Sequence, residues 1–140
     1  MSDTEIVRGK SALNCAIVSR DTKLLLADDD PSIQELMSRI LSFLGYEVSV
    51  ASNGREAGTL FLTGCYDLVI TDLHMPLMDG WQLSRLIKER SPTTPVIVIT
   101  GGREDRHWEE MNMNWVDAIV MKPFKAKEIR RTIQSLLRVA

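Results

Sequence analysis

Residues 68–80 read Leu-Val-Ile-Thr-Asp-Leu-His-Met-Pro-Leu-Met-Asp-Gly, and the order of residue types in that stretch decides the fold. Leu68, Val69 and Ile70 form an apolar run of strand length, with Thr71 and Asp72 at its end. Gly64 marks a turn before it, and Pro76 and the Asp79, Gly80 pair break the pattern after it. The stretch predicts a buried strand that presents one carboxylate, Asp72, at its carboxyl end. Standing alone, such an aspartate would ordinarily be a helix cap or a turn residue.

Other polar positions change that reading. Asp28 and Asp29 follow Leu24, Leu25, Leu26 and Ala27; Thr100 follows Val96, Ile97, Val98 and Ile99; Lys122 follows Ile119, Val120 and Met121. Each stands just beyond an apolar run of strand length. In an open parallel sheet the ligand crevice lies outside the carboxyl ends of the strands, where strand order reverses. Acids, a hydroxyl and an ammonium group would meet there.

Taken in order, these motifs resemble the receiver domain of bacterial two-component response regulators, the module that accepts a phosphoryl group on an aspartate. The resemblance is carried by Asp28 and Asp29, by Asp72, Leu73, His74, Met75 and Pro76 with Met78, Asp79 and Gly80 behind them, by Thr100 with Gly101, and by Lys122, Pro123 and Phe124. It runs from Lys23 to Arg138. Residues 23–140 are accordingly read as the receiver domain. Residues 1–22 are an N-terminal extension of mixed charge, whose moderately apolar 12–18 stretch fits no period.

From Leu24 onward the chain alternates strand and helix. The continuous apolar first run suits a central strand covered on both faces. Asp30 is placed to cap a helix with Pro31 in its first turn, and Ile33, Leu36, Ile40, Leu41 and Leu44 recur at helical spacing until Gly45 stops it. Residues 47–51 read as an edge-side strand, and Ser52 or Asn53 can cap a helix through Ala57, Leu60 and Phe61 to Gly64. Residues 81–90 read as a helix with Leu83, Leu86 and Ile87 inward, and residues 96–100 as the fourth strand. Residues 104–114 read as a helix with a thin stripe of Trp108, Met111 and Trp115. Residues 116–121 follow as the fifth strand, and residues 126–137 as a last helix with Ile129, Ile133, Leu136 and Leu137 inward. Such a pattern predicts an α/β fold: a doubly wound five-stranded parallel sheet in the flavodoxin-like order 2-1-3-4-5, with helices on both faces. First and third strands then lie side by side, bringing Asp28 and Asp29 against Asp72.

Composition bounds the partners. With 140 residues, 44% hydrophobic and 26% charged, the chain is one ordinary globular domain with room for a core. A net charge of −2 gives no general affinity for nucleic acid or an anionic membrane, so the partner is expected to be a protein. The basic residues Lys125, Lys127, Arg130, Arg131 and Arg138 are interrupted by Glu128, with no interleaved aromatic, and read as a solvated helix face. No apolar stretch approaches the roughly 20 residues of a membrane helix, and the N-terminus lacks the basic-then-apolar order of a secretory signal. A cytoplasmic protein is expected, with Cys15 and Cys65 as free thiols.

Three carboxylates in one crevice repel by about 4 kcal/mol per pair at roughly 4 Å and an effective dielectric near 20, so a cation must share the site. Mg²⁺ prefers oxygen ligands and keeps several waters, and it suits such a set. The resemblance implies Asp29, Asp72 and the backbone carbonyl of His74 as Mg²⁺ ligands, with Asp28 acting through water. Mg²⁺ and the Lys122 ammonium then offset the three negative charges. It further implies Asp72 as acceptor from a phosphohistidine on a histidine kinase or histidine phosphotransfer protein. Thr100 would donate to one phosphoryl oxygen and Lys122 would pair with another. A cis bond between Lys122 and Pro123 belongs to the same likeness.

Because the chain stops at Ala140, the expectation is a stand-alone receiver, not a turnover enzyme, that signals by docking on a downstream protein, with homodimerisation left open. One rival is a receiver-like interaction module independent of phosphorylation; the intact acids, Thr100 and Lys122 speak against it. The other is an aspartyl-nucleophile phosphatase, which would need a second acid where this chain has His74. The chain departs from the family at Ile119, where receivers commonly place an aromatic residue whose ring turns inward on activation. A β-branched side chain with stiff χ1 cannot make that switch. With Gly102 after Gly101, and Trp115 where the family often has glycine, the signal is expected to leave by ordering of residues 101–105 and a shift of the 104–114 helix.

Overall fold

The computed structural model describes residues 22–101 and 113–137. Chain order is β1 (Lys23–Ala27), α1 (Pro31–Phe43), β2 (Glu47–Ala51), α2 (Gly54–Thr63), β3 (Leu68–Asp72), α3 (Gly80–Arg90), β4 (Val96–Thr100), a 3-10 turn (Met113–Trp115), β5 (Ala118–Met121) and α4 (Ala126–Leu137). All five strands pair in parallel, in the order β2-β1-β3-β4-β5. Strands β3 and β4 are buried throughout and β1 nearly so, which is why they read as unbroken apolar runs. The edge strand β2 is mostly half-buried.

Alternation along the strands divides the core in two. Leu25, Ala27, Val69, Val96 and Val98 pack with Ala57 and Phe61 of α2 and with Trp81, Leu83 and Ile87 of α3. On the other face Leu24, Leu26, Leu68, Ile70, Ile97 and Ile99 pack with Met37 and Leu41 of α1 and with Ile129 and Ile133 of α4. Each such leucine or isoleucine contributes about 1.5–3 kcal/mol by burial, far more than the few tenths that separate helix propensities. The sheet's two apolar faces therefore hold the helices in place.

The helix ends follow the local chemistry. Asp30 accepts from the Ser32 amide with Pro31 behind it, Asn53 accepts from the Glu56 amide, and Gly45 at φ 98° follows the end of α1. Three expectations need correction. Leu36 is 49% exposed, because the buried stripe of α1 runs through Met37 and Leu41 and Leu36 lies about 100° round the helix from Met37. Asp79, taken above only as a break after the strand, caps α3 in a reciprocal box, its carboxylate accepting from the Gln82 amide while the Gln82 side chain accepts from the Asp79 amide. Cys65 is disulfide-bonded rather than free. Asp67 exchanges backbone and side-chain bonds with Lys23, so the turn carrying Cys65 lies beside the start of β1. The chain's other cysteine, Cys15, lies outside the described residues, as do most of the expected 104–114 helix and of the 101–105 loop.

At the amino end of β4 an ion pair ties three elements together. Lys88 of α3 donates to Asp117 at 2.6 Å and to the Thr94 carbonyl at 2.9 Å, while the second contact of the Asp117 carboxylate is the Val96 amide at 2.8 Å. The Lys88 side chain is only 12% exposed, so removing its partner strands a largely buried cation. Asp117→Ala is expected to lower unfolding free energy by about 2 kcal/mol in urea titrations, whereas Glu89→Ala, which breaks the exposed Arg85 pair, should change it by about 0.5 kcal/mol or less. Equal effects would show that the clasp adds nothing beyond a surface pair.

Candidate functional site

Strand register builds the site. Ala27 pairs with Thr71, Asp72 with Ile99, and Thr100 with Met121, so Asp28 stands level with Asp72 while Thr100 lies one step and Lys122 two steps further along, all at the carboxyl edge of the sheet. The pleat sends alternate side chains to opposite faces. Asp28, Asp72 and Lys122 share the parity of Leu26, Ile70 and Val120 and so lean to the same side, whereas Thr100 has the parity of Val98.

One oxygen from each of Asp28, Asp29 and Asp72 lies within 4.8 Å of the others. Lys122 Nζ stands 3.4 Å from Asp72 Oδ1, and the Leu73 amide donates to the same oxygen at 2.9 Å. Asp28 is 1% exposed and Asp72 9%, while Asp29 faces solvent at the mouth. Burial pushes the Asp28 carboxyl up to about 6, with Asp72 adding repulsion and the Asp30 amide, a donor at 2.9 Å, opposing both. Burial also raises Asp72, against the pull of Lys122. These carboxylates are short of positive charge. An all-oxygen donor set of this spacing fits a hard divalent ion such as Mg²⁺, with Asp28, Asp29 and Asp72 available to hold it directly or through water.

The structure brings Asp28, Asp29, Asp72 and Lys122 together at the carboxyl edge of the sheet. Thr100 is buried at the end of β4, and its carbonyl accepts from the Lys122 amide at 2.8 Å. His74 is exposed on the loop after β3. The Lys122–Pro123 bond is cis. Ile119 is half-buried against the α2/α3 core.

Sequence reading missed the supporting residues. Gln34 of α1 donates its amide to the Asp28 carbonyl at 2.6 Å and to Ser52 Oγ at 3.2 Å, fixing the backbone that carries the acidic pair. The only signal was a polar residue on the first turn of an otherwise amphipathic helix. Thr71, wholly buried, donates to the Asp72 carbonyl at 2.8 Å, and no pattern distinguishes it from a strand threonine.

A doubly wound sheet of this order, with acids, threonine and lysine gathered at its carboxyl edge, defines the receiver class of α/β domain. The chain belongs to the response regulator receiver domain family, whose sequence profile matches residues 24–134. Among curated relatives, the transcriptional regulatory protein ResD of Bacillus subtilis is 34% identical over 122 residues, 87% of this chain and 50% of that protein. The probable transcriptional regulator ycf27 of Cyanidium caldarium is 38% identical over 85% of this chain and 47% of its own length. The chain thus spans about half the length of the curated relatives it matches. Among solved structures, the response regulator TrrA of Thermotoga maritima, determined in complex with Mg²⁺-BeF, is 32% identical with TM-score 0.77, covering 83% of this chain and 99% of that one.

Proposed function

We propose that Asp72 accepts a phosphoryl group from a phosphohistidine of a histidine kinase or histidine phosphotransfer protein. The observation that carries this reading is the meeting of three carboxylate oxygens within 4.8 Å, with Lys122 Nζ 3.4 Å from Asp72. An Asp72 carboxylate oxygen forms the bond to phosphorus as the donor's phosphorus–nitrogen bond breaks, and the electron pair of that bond stays on the imidazole. Lys122 offsets charge on the transferring group, and Thr100 donates its hydroxyl to a phosphoryl oxygen. Asp29, Asp72 and the His74 carbonyl would hold Mg²⁺, with Asp28 acting through water, and the ion would supply charge neutralisation at the phosphoryl oxygens. Little else is asked of the protein, because phosphoryl transfer is mostly positioning and electrostatics.

On this reading the domain is a signalling acceptor in the cytoplasm, not a turnover enzyme, and its output is docking on a downstream protein. No described helix is long and apolar enough to cross a membrane. Incubation with Mg²⁺ and a small phosphoryl donor, followed by intact mass, should show one added phosphoryl group. Sustained turnover of a generic phosphate ester would favour the phosphatase reading instead, and absence of any label with donor and Mg²⁺ in excess would favour the phosphorylation-independent module.

The donor's docking place is an open apolar groove of about 530 Å³ between α1 and α4, lined by Ile40, Phe43, Leu44 and Ala126 and rimmed by Arg39, Lys127 and Arg130. Phe43 is 89% exposed. The basic rim selects a donor helix with an apolar stripe and acidic flanks. Phe43→Asp should slow transfer from the cognate donor about tenfold or more, as loss of an aromatic anchor commonly does, with labelling by a small donor unchanged. An equal loss with both donors would place the defect in the fold instead.

A further inference from the structure

The loop of residues 73–79 carries the carbonyl assigned above to the metal, and its backbone is strained. Leu77 sits at φ 72°, the one non-glycine residue at positive φ among the described residues. The Met78 amide donates to the Pro76 carbonyl at 2.8 Å, closing a three-residue turn about Leu77. A turn of that span with positive φ is the rare γ-turn, which persists only when its surroundings hold it. The Leu77 side chain is 66% exposed, so burial of that side chain does little to hold it.

Two glycines pin the loop by close approach. Gly80 donates to the Leu73 carbonyl at 2.8 Å, and a Cβ on it would fall on the Asp72 carbonyl oxygen and 3.0 Å from Leu73 Cα. The second pin comes from another β-α unit. A Cβ on Gly54, the first residue of α2, would fall on the Met78 carbonyl oxygen and within 2.7 Å of the Met78 carbonyl carbon and Cβ. Gly54 is buried and is absent from the glycines of positive φ, so what excludes a side chain there is space and not backbone conformation. Its surroundings cannot yield easily. Asn53 accepts from the Glu56 amide and Glu56 accepts from the Ser52 amide, both at 2.7 Å, which locks the helix start. The same turn touches the acidic pair, since the Ala51 carbonyl accepts from the Asp28 amide at 3.0 Å and Ser52 Oγ accepts from Gln34.

We infer that Gly54 is a positioning residue for the metal centre. Its bare Cα seats the Met78 peptide, the seated peptide holds the γ-turn at Leu77, and the turn sets where the His74 carbonyl stands relative to Asp29 and Asp72. The inference rests on the proposed reading of the Mg²⁺ site.

The test is Mg²⁺ affinity of the wild-type protein and of Gly54→Ala, each without phosphoryl donor, together with amide exchange in the metal-free state. Alanine is the better helix former, so a purely local role for Gly54 predicts equal or greater stability and unchanged Mg²⁺ affinity. A positioning role predicts Mg²⁺ binding about tenfold weaker, the range seen when groups that orient metal ligands are removed. Labelling at subsaturating Mg²⁺ should fall in step and recover at saturating Mg²⁺, and the Met78 and Gly80 amides should exchange faster. Affinity within about twofold of wild type in folded Gly54→Ala would overturn the inference. If Gly54→Ala does not fold, the double variant Gly54→Ala, Leu77→Gly frees the loop to move aside, because glycine adopts positive φ without strain. That double variant should fold and bind Mg²⁺ more weakly than wild type does. Wild-type affinity in the double variant would also overturn it. A wild-type protein that binds no Mg²⁺ fails the underlying reading of the site, an outcome distinct from equal binding by the two proteins.

Discussion

Asp72→Asn protein, incubated with Mg²⁺ and a small phosphoryl donor or with its kinase, is expected to take up no phosphoryl group while keeping the fold. The substitution is nearly isosteric and leaves the sheet untouched, but an amide oxygen in place of the carboxylate is no nucleophile for phosphorus. The adjacent Asp28 and Asp29 should not substitute. The 3.4 Å approach of Lys122 and the Leu73 amide bond both belong to Asp72, so the charge relief and the orientation are aimed at one oxygen. The same variant should be more stable than wild type without metal. Burial raises the Asp72 carboxyl above its ordinary range, which means the folded state disfavours its charged form at neutral pH. Label on His74, Asp28 or any other residue of Asp72→Asn, at wild-type extent, would remove Asp72 from the acceptor role.

Metal-free wild-type protein should lose stability as pH rises from about 4 to about 6.5, and Asp28 should be the main cause. Its folded-state carboxyl titrates at about 6 against an ordinary 3.8, so between those values the folded state holds more protons than the unfolded one. Unfolding free energy falls with pH wherever that is so. The stability is fully present below the unfolded value and gone once pH passes the folded one. A shift of about two units corresponds to about 3 kcal/mol. Asp28→Asn, titrated with urea in chelator, should therefore be up to about 3 kcal/mol more stable than wild type at pH 7.5, with its pH dependence between 4 and 6.5 largely removed. Added Mg²⁺ should narrow the gap, since a ligand at 100 times its Kd stabilises by about 2.7 kcal/mol and the variant binds it less well. Identical pH profiles for the two proteins in chelator would show that Asp28 is not the strained group. The crevice is thus built at the expense of the apoprotein's stability, as repelling carboxylates in a low-dielectric edge must be.

Much of this is legible in the sequence. Central parallel strands are buried on both faces, and Leu24–Ala27, Leu68–Ile70 and Val96–Ile99 therefore appear as unbroken apolar runs whose ends are easy to find. Right-handed crossovers leave few ways to order such strands, and a parallel sheet brings the carboxyl ends of neighbouring runs to one edge. Hence Asp28, Asp72, Thr100 and Lys122 could be gathered from their positions alone. The caps Asp30 and Asn53 were legible for a similarly local reason, since each bonds an amide within three residues.

What the sequence left open depends on contacts between distant segments. Which side of α1 faces the sheet is settled by packing, and it turned Met37 inward and Leu36 outward. No local signal at Leu77 marks a positive φ, because leucine ordinarily avoids it; the loop is packed against Gly54, which meets it only in three dimensions. The disulfide at Cys65 has no motif, and the turn that carries it nears the start of β1 only because β1 and β3 are neighbours in the sheet. The sequence by itself determined the strands, their order and the chemical groups at the edge, since periodicity and end position are local properties of the chain. Only the tertiary structure decided how closely those groups stand, how far burial raises Asp28, and what holds the loop beside Asp72, because each is a distance between segments far apart in sequence.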